Sequence, residues 1–224
     1  MLRLFCMHSF LSFDDSKKAL LTDYLNMNRS DDILPPSAKM WKLVSDIKAI
    51  IKTRDNKVLV FSQWTRVLDI IAYYLDIYAN VMKSSEPIYV RLEGSTSRKQ
   101  RQENVDKFQG EGGPQVFLIS LKAGGLGLNL HRANFVLLSD PYWNPAAEEQ
   151  ARDRAHRCGQ TKPVTVIRYI TDHENSIEKF IRELQIKKQE HIASICSDDS
   201  KKVSLPSLRL FYDHVRRQER ERKE

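Results

Sequence analysis

The sequence predicts an α/β fold in which a parallel β-sheet is covered by helices on both faces. Apolar runs such as Lys57–Phe61 and Gln115–Ser120 are bounded by polar residues, which is typical of strands buried on both faces of a parallel sheet. Segments with helical periodicity separate these runs, so the chain consists of successive β-α-β units and predicts a doubly wound sheet. Ligands of such sheets bind at the carboxyl ends of the strands, and the residues that follow the strands are therefore the first candidates for function.

The first predicted helix begins after two prolines. Pro35 and Pro36 break the chain, Ser37 is a favourable N-cap, and apolar residues recur at helical spacing from Met40 to about Ile51. The predicted elements that follow are strand Lys57–Phe61, helix Thr65–Tyr78, strand Ile88–Leu92, helix Arg98–Gln109, strand Gln115–Ser120, strand Phe135–Ser139, helix Pro145–Arg157 and strand Val164–Ile170.

Three regions follow from this order. Residues 1–36 form a lead-in segment, and residues 37–172 form one globular domain. Residues 173–224 contain a further helix, predicted from Glu174 to about Ile195, and a charged tail. Since no strand follows that helix, we expect it to brace the domain from outside the sheet.

The composition indicates a folded, basic protein. Hydrophobic residues make up 41% of the chain and charged residues 29%, a balance that excludes a disordered protein. The formal net charge is +7, and the stretch Gln150–Arg168 carries Asp153 as its single acid among four arginines and one lysine. Clustered cations bind phosphates by releasing condensed counterions, so a phosphate-bearing partner is predicted.

The cysteines and the hydropathy pattern indicate an intracellular protein without a metal site. Cys6, Cys158 and Cys196 have neither the C-x-x-C spacing of a zinc site nor the density of a disulfide scaffold. No run approaches the ~18 apolar residues that a membrane span requires, and we expect no membrane partner.

The most informative string is Gln150–Gln160, QARDRAHRCGQ. On the predicted helix, Gln150, Arg154 and Arg157 are spaced by four and three residues and would project from one face. A face with two guanidinium groups and an amide suits a polyphosphate, because each guanidinium forms bidentate hydrogen bonds. The alternative is a surface helix whose charges are simply solvated.

Two other segments follow predicted strands. The glycine-rich loop in Ser120–Leu130 permits close backbone approach to a ligand, but it is neither a P-loop nor a G-x-G-x-x-G site. In Asp140–Pro145 two prolines hold Trp143 at the edge of the sheet. The indole either stacks against nucleic acid or closes the hydrophobic core.

Taken together, these segments resemble the second lobe of Swi/Snf-type superfamily-2 DNA translocases. The matching strings are VLVFSQW at Val58–Trp64, LEGSTS at Leu92–Ser97, SLKAGGLGLNL at Ser120–Leu130, DPYWNP at Asp140–Pro145 and QARDRAHRCGQ at Gln150–Gln160. They occur in the family order. The resemblance implies a RecA-like lobe for residues 37–172, and the string LPSLRLF at Leu205–Phe211 is similar to the subgroup that carries a RING finger and works in DNA repair.

The resemblance also implies a role for each candidate residue at the nucleotide. Arg157 would be the arginine finger on the γ-phosphate, with Arg154 as its partner and Gln150 as an orienting amide. Gly125 and Gly127 would lie in the loop between nucleotide and DNA.

The residues implied to contact DNA lie in three of the matching segments or, for Arg98, directly after one of them. They are Gln63, Trp64, Ser95, Thr96, Arg98, Ser120 and Lys122. Trp143 is the further DNA-binding candidate, from its position between two prolines. The implied ligands are ATP and Mg²⁺, and the implied partners are double-stranded DNA, an N-terminal P-loop RecA-like lobe, and nucleosomes or repair proteins in the nucleus.

This sequence contains neither the Gly-Lys-Thr nor the Asp-Glu-x-His of a first lobe, so we expect the chain alone to be inactive and to be a fragment or one half of a motor. An RNA-helicase lobe is a weaker alternative, because its His-Arg-x-Gly-Arg-x-x-Arg string is absent. The third possibility is an inactive DNA-binding or scaffold fragment. Glu93, Cys158 and Ser9 depart from the usual aspartate, isoleucine and proline of the family.

Overall fold

Five parallel strands form one sheet at the centre of the protein. The computed structural model describes residues 6, 7, 11, 34–84, 86–124, 127–173 and 176–196. The strands are β1 (Val58–Ser62), β2 (Tyr89–Leu92), β3 (Val116–Ser120), β4 (Phe135–Leu138) and β5 (Thr165–Arg168). Their order across the sheet is β2-β3-β1-β4-β5, and every neighbouring pair is parallel. The predicted fold class is therefore confirmed.

The helices cover both faces of this sheet. Between residues 34 and 196 they are α1 (Ala38–Ile51), α2 (Thr65–Val81), α3 (Arg98–Gln109), α4 (Leu121–Gly124), α5 (Pro145–Arg152) and α6 (Ile177–Cys196), as far as these residues are described. Val58 and Val60 point towards a core formed with α1 and α2. Leu59 and Phe61 point to the opposite face, where Phe108 of α3 packs. This alternation follows from the period of two in a strand, and it explains why every residue of β1 is apolar or small.

Side chains at the helix starts explain where α1, α3 and α5 begin. The Ser37 hydroxyl accepts a hydrogen bond from the Met40 amide at 3.1 Å, as the sequence predicted. Ser97 caps α3 in the same way, and Asn144 caps α5. These bonds satisfy amide groups that have no partner within the first helical turn.

The predicted helix Pro145–Arg157 is wrong in its second half. Helix α5 ends at Arg152, and tighter turns follow, in which the Ala155 amide donates to the Arg152 carbonyl at 3.0 Å. The carbonyl of Arg154 leaves the helical pattern because it accepts the amide of Leu130 at 2.9 Å. Gln150, Arg154 and Arg157 therefore do not lie along one face of a single helix, and the prediction that they do is wrong.

Helix α6 packs against the rest of the domain rather than extending the sheet. Ile177 and Ile181 form a small cluster with Trp143 and Cys6. No helix in the described part of the chain has both the length and the apolar character that crossing a membrane requires. Most of the predicted lead-in, the tail and the string Leu205–Phe211 lie outside the described residues.

Candidate functional site

Asp140 joins the carboxyl ends of β1 and β4. Its side chain is almost completely buried and accepts hydrogen bonds from the hydroxyls of Ser62 at 2.6 Å and Ser139 at 2.7 Å. Its other oxygen accepts the side-chain amide of Gln63 at 2.6 Å. The connection after β1 therefore starts in one fixed conformation, with Gln63 oriented by Asp140. Gln63 was predicted from the sequence as a site residue, whereas Asp140 was not. The position of Asp140 at the end of a buried strand could have identified it.

Trp64 begins helix α2 and is partly buried. Its backbone amide donates to the Ser62 hydroxyl at 3.0 Å, and its ring packs on the core shared by α1 and α2. The indole Nε1 is buried and has no hydrogen-bond partner among the described residues. The ring thus belongs in part to the core, and its edge has an unused donor.

The start of α3, directly after the loop that follows β2, carries a cluster of cations. Thr96 accepts the Glu93 amide at 3.0 Å, and Ser95 donates to the Glu93 carboxylate at 3.1 Å, so the loop is held by its own side chains. The first turn of α3 then contains Arg98, Lys99 and Arg101 and no acid. The N-terminus of a helix already has a partial positive charge, and cations there are unfavourable unless an anion binds nearby.

The glycine-rich segment after β3 forms the short helix α4 at its start. The buried Ser120 hydroxyl accepts the Ala123 amide at 3.3 Å, whereas Lys122 is exposed. Gly127 has a φ of 68°, a left-handed conformation that favours glycine. Gly125 lies outside the described residues.

Arg154 and Arg157 come together although they are not on one helix face. Arg154 is 6% exposed, and its Nε has no hydrogen-bond partner among the described residues. Burial and the positive charge of Arg157 lower the pKa of Arg154, partly opposed by Asp153. A buried guanidinium with an unused donor is costly unless an anion compensates it, so this position suits a phosphate.

Arg157 is exposed and reaches the glycine-rich segment. Its Nη1 donates to the carbonyl of Gly127 at 3.2 Å and its Nε to the carbonyl of Asp153 at 3.2 Å. Both acceptors are neutral carbonyls, so the charge of Arg157 stays available for a ligand. Gln150 is exposed on α5.

An open cleft of about 750 Å³ lies beside Arg157. Its volume falls in the range of small-molecule sites. The lining residues are Asn129, His156, Arg157, Cys158, Gln160, Lys162, Pro163 and Val164. Most of these were not among the predicted site residues. The string Gln150–Gln160 contained several of them, but only the fold shows which ones face the cleft.

Trp143 packs against helix α6. It contacts the cluster of Ile177 and Ile181, and the ammonium of Lys188 lies 5.4 Å from the centre of its ring. Lys188 also donates to the Trp143 carbonyl at 3.1 Å. Of the two interpretations from the sequence, these contacts favour the packing role, and contact with DNA stays a prediction.

The fold and the arginine segment define a RecA-like helicase lobe. A family model described as the helicase conserved C-terminal domain matches residues 41–159. The solved structure of the C-terminal part of the Fun30 ATPase domain is similar, with a TM-score of 0.61 and 35% identity over 78% of this chain and 55% of that chain.

Similar proteins indicate which branch of the helicase family this lobe comes from. The ATP-dependent helicase fft2 of Schizosaccharomyces pombe is 44% identical over 75% of this chain and 12% of its own length. The mouse SWI/SNF-related matrix-associated actin-dependent regulator of chromatin subfamily A member 1 is 40% identical over 81% of this chain and 16% of its own length. The DNA repair protein RAD5A of Arabidopsis thaliana is 34% identical over 79% of this chain and 16% of its own length. The chain belongs to the helicase C-terminal domain family, in its Swi/Snf-type branch, and spans less than a fifth of these relatives' length.

Proposed function

We propose that this chain is the second motor lobe of an ATP-dependent translocase on double-stranded DNA. The observation that carries the proposal is the arginine pair: Arg154 is buried with an unused donor, and the exposed Arg157 lies beside a cleft of nucleotide size. Two cations so placed are suited to a polyphosphate that a second lobe presents to them.

Arg157 and Arg154 would bind the terminal phosphates of ATP. Gln150 would orient the attacking water or the group next to that water. The segment of Gly125 and Gly127 would lie beside the two arginines. ATP bound there supplies a γ-phosphoryl group whose transfer to water builds charge on its oxygens. Two backbone carbonyls hold Arg157 before that charge develops, and donors positioned in advance lower a barrier. A P-loop lobe would hold Mg²⁺ and most of the nucleotide.

The DNA-binding surface we propose starts at helix α3. The cations of its first turn, including Arg98, lie at the N-terminus of the helix, where a bound backbone phosphate would offset their positive charge. Ser95 and Thr96 precede this turn, and Lys122 is exposed on the loop after β3. Gln63 would donate its second side-chain N–H to a backbone phosphate, because Asp140 accepts only the first.

The names of the relatives support a nuclear setting. They include a regulator of chromatin and a DNA repair protein, so nucleosomes or repair proteins on DNA are the substrates and partners that we propose. The resemblance of Leu205–Phe211 to the RING-bearing subgroup that works in DNA repair supports the repair setting.

The test is an ATPase assay with and without a P-loop lobe. The chain alone should show no hydrolysis, and the chain joined to the P-loop lobe of a Swi/Snf-type relative should hydrolyse ATP when duplex DNA is added. Hydrolysis by the 224-residue chain alone would contradict the proposal. Stimulation by RNA in place of duplex DNA would favour the RNA-helicase alternative, and an inactive joined protein that still binds DNA would favour the scaffold alternative.

A further inference from the structure

Glu148 lies at the centre of a buried polar network that joins three elements. Its side chain is 2% exposed. One carboxylate oxygen accepts the Tyr142 amide at 2.8 Å, and the other accepts Nε of Arg168 at 2.9 Å. Tyr142 precedes α5 and Arg168 ends β5, so the carboxylate fixes the start of α5 against the edge of the sheet.

Gln185 adds helix α6 to the same network. It is completely buried, and its Nε2 donates to the Glu148 carboxylate at 2.6 Å and to the Tyr142 carbonyl at 2.5 Å. Its Oε1 accepts Nη1 of Arg182 at 3.0 Å. Every polar atom of this amide therefore has a partner, and a buried network of this kind holds its members in one arrangement.

The other end of α6 is fixed separately. Glu178, in the first turn of the helix, forms a buried salt bridge with Lys39 of α1 at 2.6 Å and accepts the Thr171 amide at 2.8 Å. Helix α6 is thus attached to α1 at its start and to α5 through Gln185. A change in the position of α6 would be transmitted to α5, because the Gln185 amide cannot move without breaking buried hydrogen bonds.

We propose that Glu148 and Gln185 are positioning residues through which helix α6 sets the position of Arg154 and Arg157. Helix α5 spans only 8 residues, and the arginine segment follows it directly. The helix is too short to absorb a shift at its start by bending, so the shift reaches the arginines. This inference rests on the proposed function, in which the arginines act on ATP.

The first test measures the coupling itself, in the 224-residue chain and without ATP. Gln185→Leu removes the buried donor, whereas the matched control Gln189→Leu removes an exposed bond between the same two helices, from Gln189 Nε2 to Glu149 at 3.1 Å. Amide hydrogen exchange over residues 145–157 should accelerate at least ~10-fold in the first variant and stay near the parent rate in the control, because loss of a buried partner opens the local structure. Equal rates in both variants would overturn the proposal.

The second test uses the two-lobed protein. Gln185→Leu should lower kcat on the order of 10- to 100-fold, as small misplacements of catalytic groups do, while the Kd of a non-hydrolysable ATP analogue changes less than ~3-fold, since the P-loop lobe holds the nucleotide. Gln189→Leu should keep the parent kcat. If Arg157→Ala is inactive and Gln185→Leu is fully active, the positioning role is wrong; if Arg157→Ala and Arg154→Ala are both active, the proposed action of the arginines on ATP is itself wrong.

Gln185→Glu tests the positioning role through the pH dependence of kcat, which a loss of stability would not produce. This variant replaces Gln185→Leu as the test if Gln185→Leu fails to fold. It places a second carboxylate beside Glu148, with Arg168 and Arg182 as the nearest cations. Two adjacent carboxylates share a proton, and the protonated form restores a donor to Glu148. The kcat of this variant relative to the parent should therefore rise as the pH falls from about 8 to about 6. A pH-independent ratio would overturn the proposal.

Discussion

Arg157 donates from Nη1 to the carbonyl of Gly127 at 3.2 Å, and this bond connects the arginine segment to the glycine-rich segment after β3. Gly127 has a φ of 68°, in the left-handed region that favours glycine. The two segments are therefore one unit, and the conformation of a single glycine contributes to the position of the arginine.

Gly127→Ala should destabilise the chain through its backbone alone. A Cβ at this position would meet nothing within 4 Å, so no clash is created, but an alanine in the left-handed region costs about 1 kcal/mol. Gly94→Ala is the matched control, because its Cβ would also meet open space and its φ is not in that region; it should be neutral or slightly stabilising. Urea denaturation of both variants measures the difference, and equal stabilities would contradict the argument.

Lys57 should make stability depend on pH in the alkaline range. Its ammonium donates to the carbonyls of Phe108 and Gly110 at the end of α3, and burial, with the nearby charge of Arg132, lowers its pKa from 10.5 to about 8. Between these two values the unfolded chain binds more protons than the folded one, so the free energy of unfolding should rise with pH.

The measurement for Lys57 is urea denaturation across that window, in parent and in Lys57→Met. The thioether side chain fills similar space without titrating, so the stability of the parent relative to the variant should increase from about pH 8 towards 10.5. A constant difference between the two proteins would show that the pKa of Lys57 is unchanged on folding.

Trp143→Ala should destabilise the fold, because the ring packs against Ile177 and Ile181 of α6. Truncation of a buried tryptophan costs about 3–5 kcal/mol, and the partly buried ring should give the lower end of this range. The matched control is Trp41→Ala, since the Trp41 side chain is 61% exposed and its loss should cost less than ~0.5 kcal/mol. If Trp143→Ala melts like the parent but uncouples hydrolysis from movement in the two-lobed protein, the DNA-stacking interpretation is supported instead.

Most of the sheet was predictable because its strands are continuous apolar runs. The strand at Lys57–Phe61 was predicted one residue early, and helix Arg98–Gln109 was predicted with its observed bounds. The end of α5 was not predictable, since it depends on the bond from the Leu130 amide to the Arg154 carbonyl, between residues far apart in the sequence. Local periodicity contains no information about such a partner.

The candidate site was likewise predictable in part from the sequence. The sequence identified Arg154 and Arg157 as a pair, but their helical spacing predicted the wrong geometry and gave no sign that one is buried and the other exposed. Glu148 and Asp140 were missed because a buried carboxylate is recognised only by the donors around it, and those donors come from other strands and helices.

The sharpest prediction concerns Arg157 in the two-lobed protein. Arg157→Ala should lower kcat by ~10³–10⁵, the usual loss for an arginine finger, and Arg157→Lys should fail nearly as badly because an ammonium cannot reproduce the planar fork. Its hydrogen bonds to protein are with backbone carbonyls at the surface, so melting should change little. Arg154→Ala should lower activity without a large loss of stability, because it removes a buried guanidinium whose Nε has no partner among the described residues. Steady-state ATPase with saturating duplex DNA, alongside binding of an ATP analogue, separates the two arginines. If Arg157→Ala retains turnover and Arg154→Ala loses it, Arg154 is the arginine finger and Arg157 its partner. If both variants retain turnover, the arginine segment is only a basic surface.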